Sequence, residues 1–167
     1  MTDEPCILTT KDQLILEAMV QRRDVASGDH LQLLRRKLGA ARIVLSADVP
    51  PTVATMSSRV LYSIDGREAA ARIISFDHAY MPAGLILPVT GLHGLALLGL
   101  GEGQAIEIPD AHGGRERIAL IRVLYQPEAM RTGAATPLAA ARVLRGGQGT
   151  LPRADNDDGG GPGPSAA

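Results

Sequence analysis

Apolar positions recur at helical spacing near the start of the chain, at Leu14, Ile15, Ala18 and Met19. Thr10-Lys11-Asp12-Gln13 just before them fits a capping box, in which a hydroxyl and a side-chain amide satisfy free N–H groups. The pattern breaks at Ser27-Gly28 and restarts at Asp29-His30-Leu31-Gln32, after which Leu31, Leu34, Leu38 and Ala41 share one face. Residues 1–49 are thus expected to form a helix hairpin, a short antiparallel coiled coil. Each helix is about 20 Å long, and helices this short need a partner surface. Val49-Pro50-Pro51 ends the helical zone, because proline lacks the N–H and disfavours helix before it.

From there the period changes to two. Met56, Ser58, Val60, Tyr62 and Ile64 fall on one face of a strand expected over 55–64. Asp65-Gly66 is a two-residue hairpin turn, and residues 67–76 return as a second strand. A loop over 77–84 leads to a short strand at Leu85-Ile86-Leu87, stopped by Pro88. Leu92 to Leu98 suits a short helix stopped by Gly99, Gln104 to Ile108 a strand, and Arg115 to Tyr125 the last strand. The expected fold is α+β: a helix hairpin, then a mostly antiparallel sheet carrying one short helix over 50–127. Residues 128–167 drift into Ala, Gly, Pro and Asp. They are expected to be a largely disordered tail, with at most one brief helix from Pro137 to Arg145.

Composition removes several function classes. Aromatics make up 2% of the 167 residues, too few for a stacking platform on single-stranded nucleic acid. A formal net charge of -1 gives no basic excess for direct phosphate binding. One cysteine, Cys6, excludes a disulfide scaffold and a cysteine-based zinc site; it is expected in a mobile N-terminal segment. The acidic start, Met1-Thr2-Asp3-Glu4-Pro5, does not read as a signal peptide, and no apolar stretch is long enough to span a bilayer. A cytoplasmic protein without a membrane association is expected.

The chemistry-bearing residues form no catalytic constellation. The four histidines are scattered, with no orienting carboxylate at readable spacing and no nucleophile beside them. Gly99-Leu100-Gly101-Glu102-Gly103 has a helix before it and a strand after it, the reverse of a dinucleotide loop, so it reads as a helix stop and a turn. No cofactor, metal or small-molecule substrate is expected, and the protein is expected not to be an enzyme. Arg22, Arg23, Arg35, Arg36 and Lys37 make the hairpin surface locally basic, although seven basic and seven acidic residues balance over 1–49. Asp24 and Asp29 are the acids near the hairpin tip; each is either a metal-directed carboxylate or, respectively, a solvated charge and an N-cap.

Three segments carry a family resemblance. Residues 51–60, PTVATMSSRV, resemble the "PDVVTMNSRV" segment of the regulator of nucleoside diphosphate kinase (Rnk) family, relatives of the GreA/GreB transcript-cleavage factors. Residues 96–106, ALLGLGEGQAI, resemble that family's "ALLGLxxGDxI", and 123–129, VLYQPEA, its closing "VLYQPEA". The resemblance spans roughly Ile7 to Ala129. It implies an FKBP-like C-terminal domain behind a helix pair. It also implies a transcription regulator that binds RNA polymerase near the secondary channel and meets DNA only through the polymerase. Arg22, Arg23, Arg35, Arg36 and Arg59 are the expected partner-binding residues. The turn over 23–29 lacks the D-x-x-E/D tip of Gre factors, and the hairpin is shorter, which implies binding without stimulation of transcript cleavage. Two other readings stand beside this one. The first is a peptidyl-prolyl isomerase-like or chaperone domain, against which the scarcity of aromatics counts. The second is an interaction module acting on nucleoside diphosphate kinase levels.

Overall fold

A computed structural model describes residues 5–22, 28–76, 82 and 84–133. Strand β1 (Ile7–Thr9) leads into helix α1 (Thr10–Arg22); helix α2 (Gly28–Ala40) leads into strand β2 (Arg42–Val44). Then follow β3 (Arg59–Ile64), β4 (Ala70–Ser75), β5 (Ile86–Pro88), α3 (Leu92–Leu97), β6 (Ala105–Pro109), β7 (Arg115–Tyr125) and α4 (Pro127–Thr132). The architecture is α+β. The five later strands form one sheet in the order β5-β4-β3-β7-β6, antiparallel except for the parallel β4–β5 pair at one edge. Pro88 ends β5 on that edge, where its missing N–H costs no central ladder bond.

The Asp65-Gly66 turn forms as expected. Both residues have positive φ, +50° and +69°, and Arg67 N–H donates to Ile64 O at 2.9 Å. Asp65 also ties the turn to β7, accepting from Arg117 N–H at 2.7 Å.

Several expectations need correcting. Strand β3 begins at Arg59, not Thr55. Residues 55–58 fold into a turn in which Ser58 N–H donates to Thr55 O and Ser57 takes φ +67°. Two strands, β1 and β2, lie where only helix was expected; they pair in parallel, Ile7 opposite Arg42 and Thr9 opposite Val44. Cys6 does not sit in a mobile end. It is 4% exposed, and its Sγ faces Leu98 O. Gly99 makes this fit possible: its φ is +84°, and a Cβ there would stand 2.5 Å from Cys6 Sγ. Residues 127–132, assigned by composition mostly to the tail, form α4, with Glu128 and Ala129 buried. The brief helix expected over 137–145 and the rest of the tail lie outside the described residues, as does most of the 77–84 loop.

Both early helices bury much of the expected face, Met19 and Leu34 in the core with Ile15, Leu38 and Ala41 packed against it, but the buried stripes also take in polar residues. On α1 the buried stripe is Asp12, Leu16 and Met19, while Leu14 is 66% exposed. On α2 it is His30, Leu33, Leu34 and Lys37. These stripes join Leu8, Ile74, Leu95, Leu97, Ile118 and Leu120 in one buried cluster, so the helices and the sheet share a core. Burying each such leucine or isoleucine contributes about 1.5–3 kcal/mol.

Candidate partner-binding surface

The helix pair is fastened to α3 and to the turns beside the sheet by buried polar groups. Helix α1 is capped by Thr9, one residue before the expected cap: Asp12 N–H donates to Thr9 Oγ1 at 3.1 Å. Gln13, expected to reach back to the cap, donates instead to Glu17 Oε1 at 2.8 Å. Asp12 Oδ1 accepts from Met56 N–H at 3.4 Å, which ties α1 to the 55–58 turn. Its Oδ2 is buried with no hydrogen-bond partner among the described residues. Burial, with the Glu128 carboxylate adding repulsion, raises the Asp12 pKa to about 6.

On α2, His30 Nε2–H donates to Val89 O at 2.9 Å. Lys37 was expected on the basic surface. It is 4% exposed, and its Nζ donates to Ala96 O at 2.6 Å and Leu98 O at 2.5 Å. The apolar face of the stripe and the two carbonyls around the end of α3, Ala96 O and Leu98 O, together draw the ammonium inward. Desolvation lowers its pKa to about 8.

The outside of the helix pair carries a group of exposed cations. Arg22 ends α1, and Arg35 and Arg36 lie on α2; all three are exposed. Arg35 borders a shallow groove with Glu17, Val20, Gln21 and Leu38. Asp29 is exposed in the first turn of α2. Arg23 and Asp24 lie outside the described residues. Arg59 is exposed elsewhere, at the start of β3, opposite Tyr125 on β7 and Ile73 on β4. The structure therefore places the expected partner residues on two elements, the helix pair and the sheet.

The motif segments of the sequence meet each other. Thr55 Oγ1 donates to Glu128 Oε2 at 2.6 Å, and Ser58 Oγ lies 2.9 Å from Thr55 Oγ1. Gln126 Nε2 donates to Pro50 O and Val53 O. The third segment joins them through Gly99 N–H, which donates to Ala54 O at 2.7 Å. These contacts close the domain.

No protein-family model and no curated protein matches the chain. Solved structures do. The chain is similar to the prokaryotic transcription elongation factor GreA/GreB from Nitrosomonas europaea, at 26% identity, a TM-score of 0.56, and coverage of 72% of this chain and 98% of that one. GreA factor homolog 1 of Thermus thermophilus matches at 15% identity and a TM-score of 0.34, covering 72% of this chain and 99% of that one. The Thermus aquaticus homologue matches at 13% and 0.37, covering 72% and 98%.

The fold is thus similar to that of a GreA/GreB factor over nearly the whole of that factor. Among the described residues no helix is long and apolar enough to cross a membrane, and no group of three or more metal-ligating side chains converges. One pairing escaped the sequence reading: His93 Nε2 lies 2.5 Å from Glu116 Oε1, joining α3 to β7. The residues are 23 apart, a separation that only the sheet register explains.

Proposed function

We propose that this protein is an RNA polymerase-binding transcription regulator of the Rnk and Gre type, which docks near the secondary channel without stimulating transcript cleavage. The observation that carries the reading is the similarity to the Nitrosomonas europaea GreA/GreB elongation factor across 98% of that chain. The order of the three motif segments supports the narrower Rnk assignment, and with it an FKBP-like reading of residues 50–127.

Partner contact falls to Arg22, Arg23, Arg35, Arg36 and Arg59, whose guanidiniums would steer the protein toward an acidic polymerase surface. The tip acids are Asp24 and Asp29. Helix α1 has 13 residues, about 20 Å of reach at about 1.5 Å per residue. Arg22 and Arg23 flank Asp24 in sequence and weaken its pull on a cation. Holding the catalytic metal and activating its water needs an unopposed carboxylate beside it. The protein would therefore occupy the channel rim and compete with cleavage factors. Co-purification of the full chain with core RNA polymerase tests the reading; no retention at low salt contradicts it.

A further inference from the structure

Among the described residues, strand β2 is an open edge. Arg42 N–H donates to Cys6 O at 2.8 Å, and Arg42 and Val44 pair with Ile7 and Thr9 of β1. Backbone groups alternate sides along a strand, so the N–H and C=O of Ile43 point away from β1. The two-stranded sheet ends there, while the far side of β1 is bonded to Gly99 O through Ile7 N–H. Side chains along this edge are exposed and apolar: Ile43 is 37% and Leu45 61% exposed. Proteins ordinarily blunt such an edge with charge, proline, a bulge or a very short strand; here the strand has three residues and one charge, Arg42, and no lysine or proline stands between Arg42 and Ala47.

From residue 30 up to Ala47 the sequence carries charge of one sign, and the exposed Asp48 follows, its N–H donating to Leu45 O at 3.0 Å. Residues 30–47 contain Arg35, Arg36, Lys37 and Arg42 and no aspartate or glutamate. With Lys37 buried, Arg35, Arg36 and Arg42 are the exposed cations, and none makes an ion pair among the described residues.

We infer that β2 is a β-augmentation site for an extended, acidic segment of the protein's macromolecular partner. The partner strand would bond the outward N–H and C=O of Ile43, lay apolar residues on Ile43 and Leu45, and bring carboxylates to Arg42 and its neighbours. A three-residue strand buries far less than the roughly 1,200 Å² of a stable interface. It therefore cannot hold a dimer of this chain alone and works as one contact within a larger docking surface. The inference rests on the polymerase reading for the identity of the partner and on the open edge for its chemistry.

Hydrogen exchange of the full chain, free and bound to purified RNA polymerase, tests it. Amides 43 and 45, which face away from β1, should exchange at least tenfold more slowly in the complex. Ile43→Pro removes the outward N–H and fixes φ at a position that makes no bond to β1, and Leu45→Lys adds a charge to the apolar edge. Each should weaken polymerase binding about tenfold while leaving the melting temperature within a few degrees. Binding with no protection at 43 and 45, or wild-type affinity in both variants, overturns the inference and leaves the polymerase reading standing. If polymerase does not bind at all, that reading fails. The edge is then judged with a capped heptapeptide alternating glutamate and valine. Protection of the same amides by this peptide, and not by a lysine–valine control, supports augmentation. No protection, or protection by a single-stranded RNA oligonucleotide instead, overturns it.

Discussion

Replacing Asp12 with Asn should stabilise the protein near neutral pH and flatten its pH profile. Asp12 is 1% exposed, one of its oxygens has no hydrogen-bond partner among the described residues, and Glu128 adds a second negative charge to its surroundings. Its pKa rises from 3.8 to about 6 in the folded chain. Between those values the folded state holds a proton that the unfolded state has released. Stability from this group is therefore complete below about pH 4 and is lost as pH rises through 6. Two pKa units correspond to about 3 kcal/mol. Asparagine keeps the shape and an acceptor for Met56 N–H, and it removes the charge. The helix cap survives, because Thr9 binds the backbone N–H of residue 12 and not its side chain. Urea unfolding at intervals from pH 4 to 8 measures the effect. The wild type should lose about 3 kcal/mol relative to Asp12→Asn across this range, with the two curves meeting near pH 4. Parallel curves, or a variant less stable at pH 7.5, would refute the reasoning.

Lys37 gives the opposite slope. Its folded pKa of about 8 lies below the unfolded 10.5, so stability should rise between pH 8 and 10 in the wild type and stay level in Lys37→Met; thermal melts across that range read the difference. At pH 7 the methionine variant loses two hydrogen bonds to Ala96 O and Leu98 O and gains relief from a buried charge; a net change above about 3 kcal/mol in either direction would contradict this balance. Gly94→Ala places a Cβ 2.2 Å from Pro88 O, and chemical denaturation should show a loss of about 3 kcal/mol. Charge reversal at Arg35 and Arg36 should weaken polymerase binding severalfold at low salt and little at high salt, as measured by fluorescence anisotropy; salt-independent affinity would remove these arginines from the interface.

The period-two region was legible because its punctuation is local. Asp65-Gly66, Gly99 and the apolar alternation of β7 each act within a few residues, and the strands and the α3 helix follow from them. The helix pair was legible in existence and in part of its buried face, since Met19, Leu34, Ile15, Leu38 and Ala41 do meet the core, but not in its polar members. Asp12, His30 and Lys37 occupy the buried stripes, and a reading that counts only apolar residues rotates each helix toward Leu14 or Leu31. What draws those polar groups inward is distant: Met56 N–H, Val89 O, Ala96 O and Leu98 O. Strands β1 and β2 were missed for the same reason. Three residues show no period, and β1 is held by pairing with β2 and by Gly99 O. Of the expected partner surface, Arg22, Arg35, Arg36 and Arg59 are exposed as a solvated contact face requires, whereas Lys37 belongs to the core.

A backtracked elongation complex, incubated with an excess of the full chain and then challenged with a Gre cleavage factor, tests the central claim most directly. The account predicts that this protein binds the complex, leaves the transcript at its original length, and slows cleavage by the added factor. Shortened transcripts in its presence alone, abolished by Asp24→Ala or Asp29→Ala, would contradict it, as would undiminished cleavage by the challenger.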